Sequence, residues 1–139
     1  MFDAINYMKK YIHNFLKVIL SLILIFPILG ILGIFPEPTR ELYNTDLAFS
    51  FIQILGEAGY INYIMALVYL VALGALWTRR EALAALLILP VVVNIIGFHA
   101  FIDGGLFTAG AVLANVFLLL NIYFLWKNWS QYKNLFRKN

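Results

Sequence analysis

A histidine and an aspartate four residues apart are the residues of this chain whose types and spacing best suit chemistry. His99 and Asp103 fall at the end of an apolar stretch, and side chains four residues apart share one face of a helix. Histidine titrates near physiological pH, so the pair suits ligand binding or proton handling. An oriented, hydrogen-bonded pair at a membrane edge, with no further function, is an equally good interpretation.

Two amides lie deeper in apolar sequence. Asn94 lies nine residues before Asp103, and Asn115 lies nine residues after Leu106. At a helical rise of about 1.5 Å per residue, each amide is about 13 Å from the same end of a helical hairpin. We expect the two amides to meet. An interhelical bond that contributes about 0.6–2 kcal/mol is a more common role for them than ligand binding.

The same arithmetic places further polar side chains near the level of His99. His99 is about 6 Å from the Asp103 end of its helix, and Asn62 is about 7 Å along its helix from Glu57. The predicted polar cluster consists of Glu57, Asn62, His99 and Asp103. A plain surface carboxylate is the alternative interpretation of Glu57.

The composition indicates which elements position these residues. Of 139 residues, 63% are hydrophobic and 12% are charged, whereas soluble proteins are about half apolar and about a quarter charged. A membrane-spanning helix needs about 20 apolar residues, and four stretches qualify, at about 16–35, 58–77, 82–102 and 106–126. We therefore predict a single domain, residues 1–139, that is an all-α integral membrane four-helix bundle.

The basic residues predict how this bundle is oriented. Nine of the ten Lys and Arg residues flank one side of the spans, and only Arg40 falls on the other side. Because Lys and Arg favour cytoplasmic loops, both termini are predicted to be cytoplasmic and the polar cluster to lie in the outer half of the membrane. The nine residues are Lys9, Lys10, Lys17, Arg79, Arg80, Lys127, Lys133, Arg137 and Lys138.

Two segments outside the spans are also predicted to be helical. Apolar residues recur at helical spacing in residues 1–15, which indicates either an amphipathic helix in the inner interface or a plain extension of the first span. Residues 46–55 are predicted to form a short helix at the outer surface, capped by Thr45 or Asp46. A break at residues 56–59 follows, because an unbroken helix over residues 47–77 would be about 46 Å long and the bilayer core is about 30 Å thick.

The residues that the chain lacks exclude several kinds of site. There is no cysteine, which excludes disulfides, thiol chemistry and iron–sulfur ligation. His99 is the one histidine within a span, so a single chain cannot supply two histidine ligands to haem. No nucleotide-binding loop occurs, and neither a metal site nor a nucleic-acid partner is predicted.

The third span carries the pattern of a known family. Residues 89–99, Leu-Pro-Val-Val-Val-Asn-Ile-Ile-Gly-Phe-His, resemble the Pro-x-x-x-Asn-Ile-x-x-Phe-His core of the DoxX-like membrane proteins, and Gly59-Tyr60 resembles the start of their second span. The resemblance implies a four-helix bundle in a prokaryotic cytoplasmic membrane, with Asn94, Phe98 and His99 as motif positions. Some relatives are linked to respiratory or redox-stress complexes, and many carry an acidic residue where this chain has Tyr69.

Three functions are compatible with these features. The first is a non-catalytic membrane subunit, or a binder of a quinone or lipid linked to a redox system, in which His99 bonds the ligand, Asn94 orients it and Phe98 packs on it. The second is a membrane enzyme that transfers a proton on a lipid-like substrate, with Glu57 or His99 as the acid–base group. The third is a structural scaffold for a partner protein. The predicted partners are membrane lipid, a redox-enzyme subunit or further copies of the chain.

Overall fold

The computed structural model describes residues 2–136, and within them the chain is all-helical, with no strand. The six α-helices are α1 (Phe2–Ile31), α2 (Asp46–Ala58), α3 (Tyr60–Trp77), α4 (Glu81–Phe101), α5 (Val112–Lys127) and α6 (Trp129–Tyr132). Short 3-10 turns cover Arg40–Leu42, Ala109–Ala111 and Lys133–Phe136. Arg137 and Lys138, which contribute to the predicted orientation, lie outside the described residues.

Four of these helices are long and apolar enough to cross a membrane. The candidate spans are Ala4–Ile31, Tyr60–Trp77, Glu81–Phe101 and Ala109–Lys127, with mean hydropathies of 2.3, 1.7, 2.3 and 1.8. Large apolar side chains face outward along them, such as Leu22, Leu67 and Leu119, each more than 60% exposed. Outward apolar side chains are stable in lipid and costly in water, so the chain has the character of a multi-pass membrane protein.

The first helix is one continuous element. Residues 2–15 continue directly into the first span, as the extension interpretation predicts, so they form no separate helix. The helix ends at Ile31, four residues before the predicted end. Gly33 has a φ of +75°, its N–H bonds to the carbonyl of Gly30 at 2.9 Å, and the N–H of Ile34 bonds to the carbonyl of Leu29 at 3.1 Å. This Schellman ending needs a residue with positive φ, which glycine supplies.

The second span is preceded by the predicted short helix. The Thr45 hydroxyl oxygen caps α2 by accepting a hydrogen bond from the Ala48 N–H at 3.0 Å. The break before α3 falls at Gly59, with φ +67° and ψ −47°, so α2 extends three residues beyond the predicted end at residue 55. Gly56 continues the helix because a glycine with negative φ does not interrupt it.

The spans pack in the order α1, α3, α4 and α5, with α1 also touching α5. Their shared core consists of Leu20, Leu24, Tyr69, Ala72, Leu76, Ala85, Ile88, Val92, Phe117, Leu120 and Phe124, together with nearby small residues. We call the ends of the spans that carry residues 9–17, 78–81 and 123–133 the basic end. The opposite ends, which carry residues 32–59 and 102–111, are the loop end.

The link between α4 and α5 is longer than the three residues that separate the predicted spans. Gly104 and Gly105 take φ values of +83° and +113°, but α5 begins only at Val112, six residues after the predicted start of this span. The Asn115 amide nitrogen donates to the Leu106 carbonyl at 2.7 Å, which favours a path other than an α-helix for residues 106–111. That side-chain bond competes with a helical path for the backbone.

Candidate functional site

Asp103 is the centre of the polar structure at the loop end. It follows the last turn of α4 and is 1% exposed. Its carboxylate accepts hydrogen bonds from the Asn44 backbone N–H at 2.8 Å, from the Asn44 amide nitrogen at 3.3 Å and from His99 Nδ1 at 3.0 Å. A buried carboxylate needs such donors to offset its lost hydration. The predicted His99–Asp103 pair is therefore present, and a third residue completes it.

The loop before α2 is what brings Asn44 to this carboxylate. The Thr45 hydroxyl donates to the Ile102 carbonyl at 2.6 Å, and the Asn44 amide nitrogen donates to the Asp103 carbonyl at 3.1 Å. These bonds satisfy carbonyls at the end of α4 that have no helical partner. The available sequence signal is the polar run Asn44-Thr45-Asp46 ahead of an apolar helix, in which only Thr45 and Asp46 are predicted to act, as caps.

The charge of Asp103 also reaches a neighbouring tyrosine. Burial and, after it, the negative charge of Asp103 raise the pKa of Tyr43 above its usual range. Tyr43 therefore stays a neutral phenol at physiological pH. Its ring meets Phe98 edge-on, with centroids 6.4 Å apart, which packs the loop onto α4.

His99 lines a cavity of about 170 Å³ between α1, α3, α4 and α5. The walls are almost entirely apolar and include Ile23, Phe26, Tyr69, Leu113 and Phe117. Pro27 of α1 also lines the cavity and has no N–H to offer the Ile23 carbonyl. Among residues 2–136, His99 Nδ1 bonds to Asp103 and Nε2 makes no hydrogen bond, so Nε2 is the polar atom that His99 keeps available for a ligand.

The predicted polar cluster is divided between two cavities. Glu57 and Asn62 line a second, larger cavity of about 610 Å³ between the end of α1, the following loop, α2 and the start of α3. Glu37 and Gln53 also face it. The two cavities share Pro27. His99 lines only the first cavity, and Asp103 lines neither. The predicted depth of Asn62 was counted from Glu57 along a single helix, which is wrong because Glu57 lies in α2 and Asn62 lies in α3. Helical depth also does not fix which side of a helix a residue occupies.

The predicted pairing of Asn94 with Asn115 does not occur. Asn94 is exposed on α4, and the Asn115 amide nitrogen donates instead to the Leu106 carbonyl. Phe98 is also absent from the lining of the His99 cavity, because its ring packs on Tyr43 and on Phe51, with centroids 6.4 and 5.9 Å away. Of the motif positions, only His99 faces the cavity.

A second polar centre lies at the basic end, where Glu81 opens α4. His13 Nε2 lies 2.9 Å from Glu81 Oε1, Lys17 Nζ lies 3.2 Å from it, and Lys127 Nζ lies 3.7 Å from Oε2. The other ring nitrogen of His13 bonds to the Tyr123 hydroxyl at 3.1 Å. Side chains of α1, α4 and α5 thus meet at one carboxylate, and this cluster was not predicted. The available signal was that Glu81 is the one acidic residue in residues 58–102 and follows two arginines.

A fully buried amide lies within the packed spans. Asn121 is 0% exposed and its amide nitrogen donates to the Ala85 carbonyl at 2.9 Å. Its carbonyl oxygen Oδ1 is buried without a hydrogen-bond partner among the described residues.

Chemically, the loop-end site offers one oriented imidazole on apolar walls. Within residues 2–136, no three His, Cys, Asp or Glu side chains are grouped so that they could hold a metal ion. Comparison with protein-family models, curated proteins and solved structures gave no match to this chain.

Proposed function

We propose that this chain is a DoxX-like multi-pass membrane protein that binds a small hydrophobic molecule, a quinone or a lipid, without catalysing a reaction. The observation that carries the proposal is the apolar cavity of about 170 Å³ with His99 in its wall. Ligand sites are typically apolar and have a few placed polar groups. An apolar cavity of about 150 Å³ is known to hold benzene, so this one suits a single ring or a chain end.

The proposed arrangement in the cell follows from the charges. Nine of the ten Lys and Arg residues lie on the side of both termini, which supports cytoplasmic termini and a ligand site in the outer half of a prokaryotic cytoplasmic membrane. The resemblance of residues 89–99 to the DoxX-like core supports a link to a redox system. The chain would act there as a subunit of a redox enzyme or as a homo-oligomer.

Native mass spectrometry of gently extracted protein tests ligand binding. We expect a discrete small molecule on the wild-type protein and its loss in His99→Ala. Asn94→Ala is the matched control, since Asn94 is exposed and does not line the cavity. A bare wild-type protein, or the same adduct in all three samples, would assign His99 a structural role.

A second function is favoured by the geometry of the His99–Asp103 pair. A carboxylate that accepts a hydrogen bond from one imidazole nitrogen orients the ring for proton transfer by the other nitrogen. Here the Asp103 carboxylate lies 3.0 Å from His99 Nδ1. The proposed activity would then be proton transfer on a lipid-like substrate. Turnover of a sterol or polyprenoid that His99→Ala abolishes would support it, whereas binding without turnover would favour the non-catalytic function.

A further inference from the structure

We infer that the cavity selects a ring that carries a hydroxyl group, a phenol or a reduced quinone, over a ring that offers only an acceptor oxygen. This inference rests on the proposed function, because it names the chemical class that the His99 cavity takes. It assigns Asp103 the role of a positioning residue, which acts through His99 and not on the ligand.

The hydrogen-bond donors around Asp103 decide the tautomer of His99. A carboxylate only accepts hydrogen bonds, and Asp103 already accepts two from Asn44. The contact of 3.0 Å between Asp103 and His99 Nδ1 therefore requires the proton to be on Nδ1. In the neutral imidazole Nε2 is then an acceptor, and a ligand must donate to it.

Besides His99, the cavity lining offers one polar side chain, the Tyr69 phenol, whose hydroxyl can donate to a ligand oxygen whether or not that oxygen carries a hydrogen. Only the bond to Nε2 therefore distinguishes the two kinds of ring. Apart from His99 and Tyr69, the lining side chains of the cavity are aliphatic or phenylalanine, or are glycine and proline. A buried polar group without a partner is costly, so the ligand is expected to carry its polar group where it meets Nε2. The volume of about 170 Å³ admits one ring, with any longer tail leaving toward the lipid.

A pair of matched probes tests this selectivity. We would measure the dissociation constants of 4-propylphenol and its methyl ether, 4-propylanisole, for the full chain in lipid nanodiscs. One additional hydrogen bond corresponds to about three- to tenfold tighter binding of the phenol. Equal binding of the two probes, or tighter binding of the ether, would overturn the inference but leave the proposed function standing. Binding of neither probe would overturn both.

The variant Asp103→Asn provides a second test. The Asn44 N–H, 2.8 Å from Oδ1, requires an oxygen at that position, so the introduced amide turns its NH₂ toward His99 Nδ1. The imidazole then carries its proton on Nε2, and the preference for the phenol over the ether should fall to about one or reverse. His99→Ala should also lose the preference while still binding the ether. Asn94→Ala should keep it, and a preference that persists in His99→Ala would contradict the inference.

Discussion

At the scale of single residues, Glu81 holds the basic end together. It is the carboxylate that His13, Lys17 and Lys127 share, and the side chains of His13, Lys17 and Glu81 are only 14%, 11% and 16% exposed. Glu81→Gln would leave two lysines close together without a counter-charge. Removing one partner from a largely buried ionic cluster costs about 3 kcal/mol, so we expect a clearly lower midpoint of thermal unfolding in detergent.

Glu41→Gln is the matched control for that substitution. Glu41 is exposed at the loop end and has no ion pair among residues 2–136. Its replacement should leave the midpoint of unfolding unchanged. An equal effect of the two substitutions would show that the contacts of Glu81 do not stabilise the fold.

For Asn121 we predict that a substitution leaves the stability of the fold unchanged or increases it. Its bond to the Ala85 carbonyl contributes about 1 kcal/mol, whereas an unpaired buried acceptor such as its Oδ1 costs about 1–3 kcal/mol. Replacement by an apolar side chain of similar size removes both effects, so Asn121→Leu should be neutral or stabilising in the same thermal assay. A strong loss of stability would mean that Oδ1 has a partner in the membrane, such as an ordered water.

Which of these residue contacts could be predicted depends on how far apart they lie along the chain. The His99–Asp103 pair is local, and the spacing of four residues in one helix was sufficient to predict it. The bond between His13 and Glu81 joins residues 68 positions apart, and no helical periodicity relates them. The predicted pairing of Asn94 with Asn115 was wrong because equal depth in the membrane does not determine how each helix is rotated about its axis.

At the scale of elements, Gly59 is the residue that separates α2 from α3. With φ +67° and ψ −47° it adopts a backbone conformation that is strained for other residues. Gly59→Ala should therefore cost about 1–3 kcal/mol of unfolding free energy. The comparison is Gly56→Ala in α2, where an added methyl group meets nothing within 4 Å and should stabilise by about 0.5–1 kcal/mol. The free energy of unfolding in denaturant measures both, and equal effects would contradict the assigned break.

The ends of the elements were harder to predict than the elements themselves. Thr45 and the apolar run after it correctly indicated the start of α2. The end of α1 depends on the Schellman bonds around Gly33, and the late start of α5 depends on the Asn115 side chain. Both ends depend on hydrogen bonds to backbone carbonyls that the positions of apolar residues do not reveal.

At the scale of the whole molecule, the orientation in the membrane is a prediction that labelling can test. The chain has no cysteine, so a single introduced thiol reports one position. With an impermeant maleimide on intact cells, we expect Glu41→Cys to be labelled and Lys133→Cys to be labelled only after permeabilisation. The reverse pattern would place the His99 cavity in the cytoplasmic half. The four spans could be predicted from composition, whereas which spans pack against one another could not.

The cluster around Glu81 also has a consequence for the order in which the helices make contact as the chain is synthesised. His13 and Lys17 are synthesised early. Glu81 lies 68 residues after His13 in the chain, and Tyr123 lies 110 residues after His13. Once α4 has been inserted, His13 and Lys17 can reach Glu81, but until α5 follows, the other ring nitrogen of His13 lacks the Tyr123 hydroxyl. Insertion of α5 is therefore the step that completes the cluster, since it supplies Tyr123 to His13 and Lys127 to Glu81.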